Sequence, residues 1–126
     1  MPHIVLEHSA NIKPQLSTAD LFSQIHQQVH SITGVLLLNC KSRRYVAEEF
    51  LIGEGAEADV FIHLSVRMIE GRSSEIKQKL GSGLVSVLRD GFAVSDEDMH
   101  IQVTVEVSDI SLDEYSKFPS GSLTPQ

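Results

Sequence analysis

Hydrophobic and polar positions alternate along this chain in blocks whose period changes from about two to about three and a half and back, twice over. His3 to Glu7, His-Ile-Val-Leu-Glu, is apolar and rich in β-branched residues, which predicts a short strand with at least one buried face. Asn11 and Pro14 interrupt it with a loop, and Ser17 followed three residues later by Asp20 resembles a capping pair at a helix start. From Thr18, Leu21, Phe22, Ile25, Val29 and Ile32 recur at spacings of three and four and predict one apolar helix stripe that Gly34 ends. A second strand is expected from the apolar run Val35 to Leu38 onward to Val46, with Lys41, Arg43 and Arg44 toward its far end.

Gly53 to Glu57 reads as a linker. Val60, Ile62, Leu64, Val66 and Met68 then alternate with Phe61, His63, Ser65 and Arg67, the signature of a strand with two unlike faces. Gly71-Arg72-Ser73 closes that strand, and Ser73 is placed to cap a helix carrying Ile76, Leu80, Leu84, Val87 and Leu88 and ending near Gly91. After a polar turn, Ile101 to Val107 alternates again. The order strand, helix, strand is thus repeated, over about residues 1–52 and 58–107. That predicts an α/β (α+β) fold in one domain spanning 1–126: two tandem βαβ units, one four-stranded mixed sheet, and both helices on one face. The other sheet face calls for cover from further subunits. The tail 108–126, with two prolines near its end, is expected to be mobile or held by a partner chain.

Composition narrows the partners. In 126 residues, ten Lys and Arg against seventeen Asp and Glu leave a net charge of −7, which argues against nucleic acid. The single cysteine, Cys40, excludes an intramolecular disulfide and a CxxC site and fits a reducing compartment. No apolar run approaches the ~18 residues of a membrane span, and the start lacks the order of a secretory signal, so a cytoplasmic protein is expected.

The chemistry concentrates at the amino terminus. Proline at position two permits removal of Met1, which would leave Pro2 as a free secondary amine at a strand edge. A terminal amine has a reference pKa near 8, and burial or nearby cations bring it toward the ~7 that suits proton transfer. Arg72 stands where a strand gives way to a helix, a position that reaches a crevice in α/β units. Lys41, Arg43 and Arg44 form a second basic segment. Such local positive potential in an acidic chain suits an anionic substrate, and arginine matches a carboxylate with two parallel donors. The competing reading of Arg43 and Arg44 is surface pairing with Glu48, Glu49 or Asp59.

Other features carry less. His26 and His30 share a helix face at i and i+4, but Gln27 stands in place of the glutamate of HExxH and no third ligand is evident, so no metal site is expected. His63 reads as a packed or supporting residue. Gly81-Ser82-Gly83 lies within a helix pattern and does not qualify as a dinucleotide fingerprint. Cys40 reads as a small core residue.

Pro2-His3-Ile4 with Glu7, Lys41-Ser42-Arg43, Phe61-Ile62-His63-Leu64 and Gly71-Arg72-Ser73, in this order over residues 2–107, resemble the 5-carboxymethyl-2-hydroxymuconate Δ-isomerase family of the tautomerase superfamily. The resemblance implies a homotrimer and a cofactor-independent isomerase of aromatic-compound breakdown. Pro2 would be general base and acid, moving a proton between carbons of an unsaturated di- or tricarboxylate. By the same resemblance Arg72 would be catalytic and substrate-binding, with Lys41 and Arg43 as further substrate-binding residues. Lys41 falls where the family has arginine, which keeps the charge and loses the fork. Two alternatives stand beside this: a decarboxylase, hydratase or dehalogenase on the same fold, and a non-catalytic trimeric binding protein.

Overall fold

The computed structural model describes residues 1–119, and their elements follow the duplicated pattern. β1 (Pro2–Ser9), α1 (Thr18–Thr33) and β2 (Lys41–Ala47) form one unit, and β3 (Val60–Ile69), α2 (Ser74–Gly91) and β4 (Ile101–Ile110) the other. The sheet order is β2-β1-β3-β4. β1 is parallel to β2 and β3 to β4, while β1 and β3 meet antiparallel at the centre. Within each unit the helix carries the chain back across the sheet, as parallel pairing requires.

Both helices start and stop for local reasons. The Ser17 hydroxyl accepts from the Asp20 amide and the Ser73 hydroxyl from the Ile76 amide, satisfying donors that the first turn leaves open. Gly34, at φ 79°, takes the left-handed cap that ends α1 and donates to the His30 carbonyl. Leu21, Ile25 and Val29 of α1 and Leu80, Leu84 and Leu88 of α2 are buried against Ile4 and Leu6 of β1 and Ile62, Leu64 and Val66 of β3. Removing each such side chain from water contributes about 1.5–3 kcal/mol. At the end of α2 the helices approach so closely that a Cβ on Gly91 would lie 2.7 Å from Leu21 Cδ1.

Two polar residues of β1, His8 and Ser9, are buried beside this layer. His8 is fully buried; Arg44 Nε donates to its Nε2 (2.9 Å), so the proton sits on Nδ1 and is donated to the Ser9 carbonyl (2.8 Å). Arg44 also donates to the Thr18 hydroxyl, tying β2 to the first turn of α1. Burial, and secondarily Arg44, push the His8 pKa down against the raising effect of its bond to Ser9.

Three expectations are corrected. The strand expected from Val35 starts only at Lys41; Leu37–Asn39 form a 3-10 turn, with Val35 buried and Leu36, Leu37 and Leu38 exposed. β1 begins at Pro2, and its pairing with β2 runs from His3 opposite Lys41 to Ser9 opposite Ala47, so the apolar run has no strand to pair with. Lys41 and Arg43 therefore open the strand instead of lying at its far end. Residues Ser108 to Ile110 of the expected tail continue β4, and Leu112–Glu114 make a further 3-10 turn. The Tyr115 hydroxyl then bonds His3 Nε2 at 2.7 Å, which fastens this part of the tail within its own chain. The rest of the expected tail, 120–126, lies outside the described residues.

Candidate active site

The antiparallel centre places the start of β1, the start of β2 and the ends of β3 and β4 at one end of the sheet. Pro2 pairs with Met68 there and is buried. Its nitrogen carries Met1 and is a tertiary amide; the charge at this point belongs to the Met1 amine, which donates to the Asn39 carbonyl at 2.6 Å. Lys41 Nζ donates to the same oxygen at 3.2 Å. Burial and then Lys41 lower the pKa of the amine from its usual 8.0 to about 6. Two cationic groups on one carbonyl compete for charge, and the terminal amine yields first because its reference pKa is the lower.

Beside them, Arg43 donates to His3 Nδ1 at 3.0 Å. A guanidinium has no acceptor, so Nδ1 accepts and the His3 proton sits on Nε2, from which it is donated to Tyr115. The His3 pKa is lowered, first by burial and then by Arg43, Lys41, the terminal amine and Arg67. Arg43 and Arg44, for which pairing with Glu48, Glu49 or Asp59 was the alternative, point to opposite faces of β2 and bond histidines: Arg43 to His3 on the open face, Arg44 to His8 in the core.

Arg72 follows β3 at the same end, on the side away from β2. Gly71, at φ 127°, turns the chain into the capped start of α2, and Arg72 Nη1 donates to the Ile69 carbonyl at 3.2 Å. Burial lowers its pKa, while Asp109, at the end of β4, opposes the shift. Asp109 also takes an ion pair from Lys77 of α2 at 3.2 Å. Pro2 and His3 thus lie between two cationic flanks, Lys41 and Arg43 on one side and Arg72 on the other. The end of the sheet gathers Pro2, Lys41, Arg43 and Arg72, while Arg44 of the same basic segment turns to the core. Tyr115 and Arg67 escaped notice there: the first joins through a contact spanning 112 residues, and the second was visible only as one polar position in an alternating strand.

The remaining histidines have other employment. His26 bonds the Ser42 hydroxyl (2.6 Å) and His30 the Val35 carbonyl (2.8 Å). His63 bonds the Thr104 hydroxyl on the neighbouring strand (2.6 Å). Among the described residues no three His, Cys, Asp or Glu side chains converge as a metal would need, and no helix is long and apolar enough to cross a membrane. Cys40 packs half-buried against the core.

Comparison with known proteins agrees with this architecture. A 5-carboxymethyl-2-hydroxymuconate Delta-isomerase of Escherichia coli is 24% identical over 111 residues, covering 87% of each chain. A crystal structure of a 5-carboxymethyl-2-hydroxymuconate isomerase from Deinococcus radiodurans R1 superposes with a TM-score of 0.79 at 25% identity, over 92% of this chain and 87% of that one. A fused 4-OT symmetric trimer shares the fold at 18% identity and a TM-score of 0.73, over 98% of this chain and 97% of that one. The sequence profile of the 5-carboxymethyl-2-hydroxymuconate isomerase family matches residues 2–119, and the chain belongs to that family, as an isomerase of the tautomerase superfamily.

Proposed function

We propose that this isomerase moves a proton between carbons of an unsaturated 2-hydroxy or 2-oxo di- or tricarboxylate such as 5-carboxymethyl-2-hydroxymuconate. The observation that carries the reading is the terminal amine, held near the sheet end beside Lys41 with its pKa lowered to about 6. Removal of Met1 makes Pro2 the terminus and moves the amine one residue inward. Burial and the neighbouring Lys41 ammonium both favour the unprotonated form of an amine at this place, the form that can accept a proton.

Pro2 then takes the proton of the 2-hydroxyl group, leaving a dienolate whose charge spreads from oxygen to the conjugated carbons. The same nitrogen returns the proton to carbon, so the step is neutral overall. Arg72 stabilises the oxygen on which charge develops or grips the adjoining carboxylate. Lys41 and Arg43 bind carboxylate from the other flank, Lys41 as a point charge without the arginine fork. The active form is a homotrimer: among the described residues no α-helix or strand packs on the sheet face opposite the two helices, β2 leaves Tyr45 and Val46 exposed at a sheet edge, and a 4-OT trimer has the same fold.

Mass spectrometry of the protein from its native cell establishes whether residue one is Met or Pro. Ketonisation of 2-hydroxymuconate is then followed by ultraviolet absorbance for the proline-terminated protein and for Pro2→Ala. The variant is expected to lose about 10²-fold or more in kcat, the contribution of positioned acid–base catalysis. Full rate in the variant, or no turnover of any such acid by proline-terminated protein, overturns the reading.

A further inference from the structure

The corner where β3 gives way to α2 holds more charge chemistry than Arg72 alone. Register lays Pro2, Met68 and Asp109 side by side across β1, β3 and β4. At ordinary strand spacing Asp109 is therefore about 10 Å from Pro2, with the strand that carries buried Met68 between them. Lys77 Nζ donates to both carboxylate oxygens of Asp109, at 3.3 and 3.2 Å. Lys77 stands one turn into α2, its amide bonded to the carbonyl of the cap residue Ser73, and Arg72 immediately precedes that cap. Arg72 in turn is anchored on the carbonyl of Ile69, the strand neighbour of Ile110, which follows Asp109. The Asp109 carboxylate thus meets two cations of one helix start, Lys77 by direct contact and Arg72 through its field.

Apolar packing leaves this corner open. A groove of about 520 Å³, lined by Lys77, Gly81, Ser82, Val105 and Val107, lies between α2 and β4, and the Lys77–Asp109 pair joins helix to strand beside it. The Lys77 side chain is 24% exposed and that of Asp109 43%, so the pair is screened less than one on an open surface. The other carboxylate of the corner, Glu70, accepts from the Leu112 amide at 2.8 Å and holds the chain as it leaves β4. Glu70 is thereby committed to backbone, and Asp109 to side-chain cations. Without an anion between them Lys77 and Arg72 repel, and the guanidinium moved by that repulsion is the one that flanks Pro2.

We propose that Asp109 is a positioning residue for the reaction: it holds Arg72 in place against Lys77, and Lys77 keeps the same carboxylate from drawing the guanidinium out of the site. Across the width of β3 Asp109 does not reach the reacting carbons, so it acts through Arg72. The inference rests on the reading of Pro2 and Arg72 as the reacting centre. With Arg72 stabilising the oxygen on which charge develops, a displaced guanidinium costs transition-state binding more than substrate binding, and the loss falls on kcat. Lys77 and Asp109 form one unit, so their separate losses do not multiply.

The test combines a double-variant cycle with a readout of Arg72 itself. In proline-terminated protein with 2-hydroxymuconate as substrate, Asp109→Asn should lower kcat about tenfold and change KM by less than about threefold. Lys77→Gln should lower kcat about threefold, and in the Asp109→Asn background it should have no further effect. The ¹⁵N–¹H signal of the Arg72 Nε group, identified by its loss in Arg72→Lys, should shift in both single variants. Asp109→Glu, which keeps the charge, should restore most of kcat and return the signal toward its original position. A merely structural tie between α2 and β4 would leave that signal where it was. An Arg72 signal unmoved by Asp109→Asn, an unchanged kcat in active enzyme, or losses that multiply in the double variant refutes the proposal. The signal needs no turnover, so protein whose Arg72 follows Asp109 and Lys77 yet converts no such acid would uphold the hold on Arg72 and sink the role of Pro2 instead.

Discussion

Lys41→Ala tests the electrostatics of the site without requiring turnover. The terminal amine and Lys41 Nζ donate to one carbonyl oxygen at 2.6 and 3.2 Å. Their nitrogens therefore lie within about 6 Å, where two unit charges repel by ~0.7 kcal/mol at the dielectric of water and ~2.8 kcal/mol at an effective value of 20. At ~1.4 kcal/mol per unit this corresponds to ~0.5–2 pKa units, and the exposure of Lys41 favours the lower half of that range. A positive neighbour disfavours the ammonium, so deleting it raises the pKa: from about 6, the amine of Lys41→Ala should rise by ~0.5–1 unit. It should stop short of the usual 8.0, because burial is the larger cause and remains. Lys41→Arg, which keeps the charge, should leave the value nearly unchanged. The pH dependence of N-terminal acylation, read by mass spectrometry of the first peptide, gives the pKa directly. High salt should shrink the difference between wild type and Lys41→Ala. An amine titrating near 8 in the wild type, or one unmoved by Lys41→Ala at low salt, refutes the reasoning. In proline-terminated enzyme the same substitution should carry the acid limb of the rate profile to higher pH, lowering activity most on the acid side.

Three further outcomes concern the fold that holds the site. Gly91→Ala should destabilise by about 1–2 kcal/mol in urea unfolding, since overpacking against Leu21 outweighs the gain in helix propensity, whereas Gly81→Ala, whose Cβ meets nothing within 4 Å, should stabilise by about 0.5–1 kcal/mol. Ser73→Ala removes the cap on the Ile76 amide and should cost about 1 kcal/mol by the same measurement. His3, His8 and His26 all have pKa values lowered by burial, so the unfolded chain takes up their protons first as the pH falls. Their stabilisation is present above the unfolded pKa of ~6.5 and is lost below it, toward the folded values. Urea midpoints should therefore be lower at pH 5.0 than at 7.5, and a flat or rising trend would contradict the burial of these rings.

Much of this was legible in the sequence where the signal is local. Ser17, Gly34 and Ser73 announce helix ends by chemistry confined to a few residues, and the alternation from Val60 to Met68 marks a strand whose faces differ. Leu36 to Leu38 misled because apolarity alone carries no pairing information: whether such a run becomes a strand depends on a partner, and β1 begins too late to supply one. The site was legible in its residue types and in the Gly-Arg-Ser boundary. Its assembly was not, since the proximity of Lys41 to the terminus follows from the β1–β2 register and that of Tyr115 from a return of the chain after β4. Arg44 looks like Arg43 in the sequence, yet one pleat of strand sends it to His8 and the core.

The short 3-10 turn before β2 has a consequence for how this chain can change. It sets the phase with which β2 enters the sheet, and in a strand a slip of one residue exchanges the two faces. Deleting a single residue between Gly34 and Cys40 would present Ser42 and Arg44 to solvent and drive lysine and arginine toward the helices, disarming the terminus and breaking the interior together. The exposed loop from Glu48 to Asp59 carries no such timing, and insertions belong there.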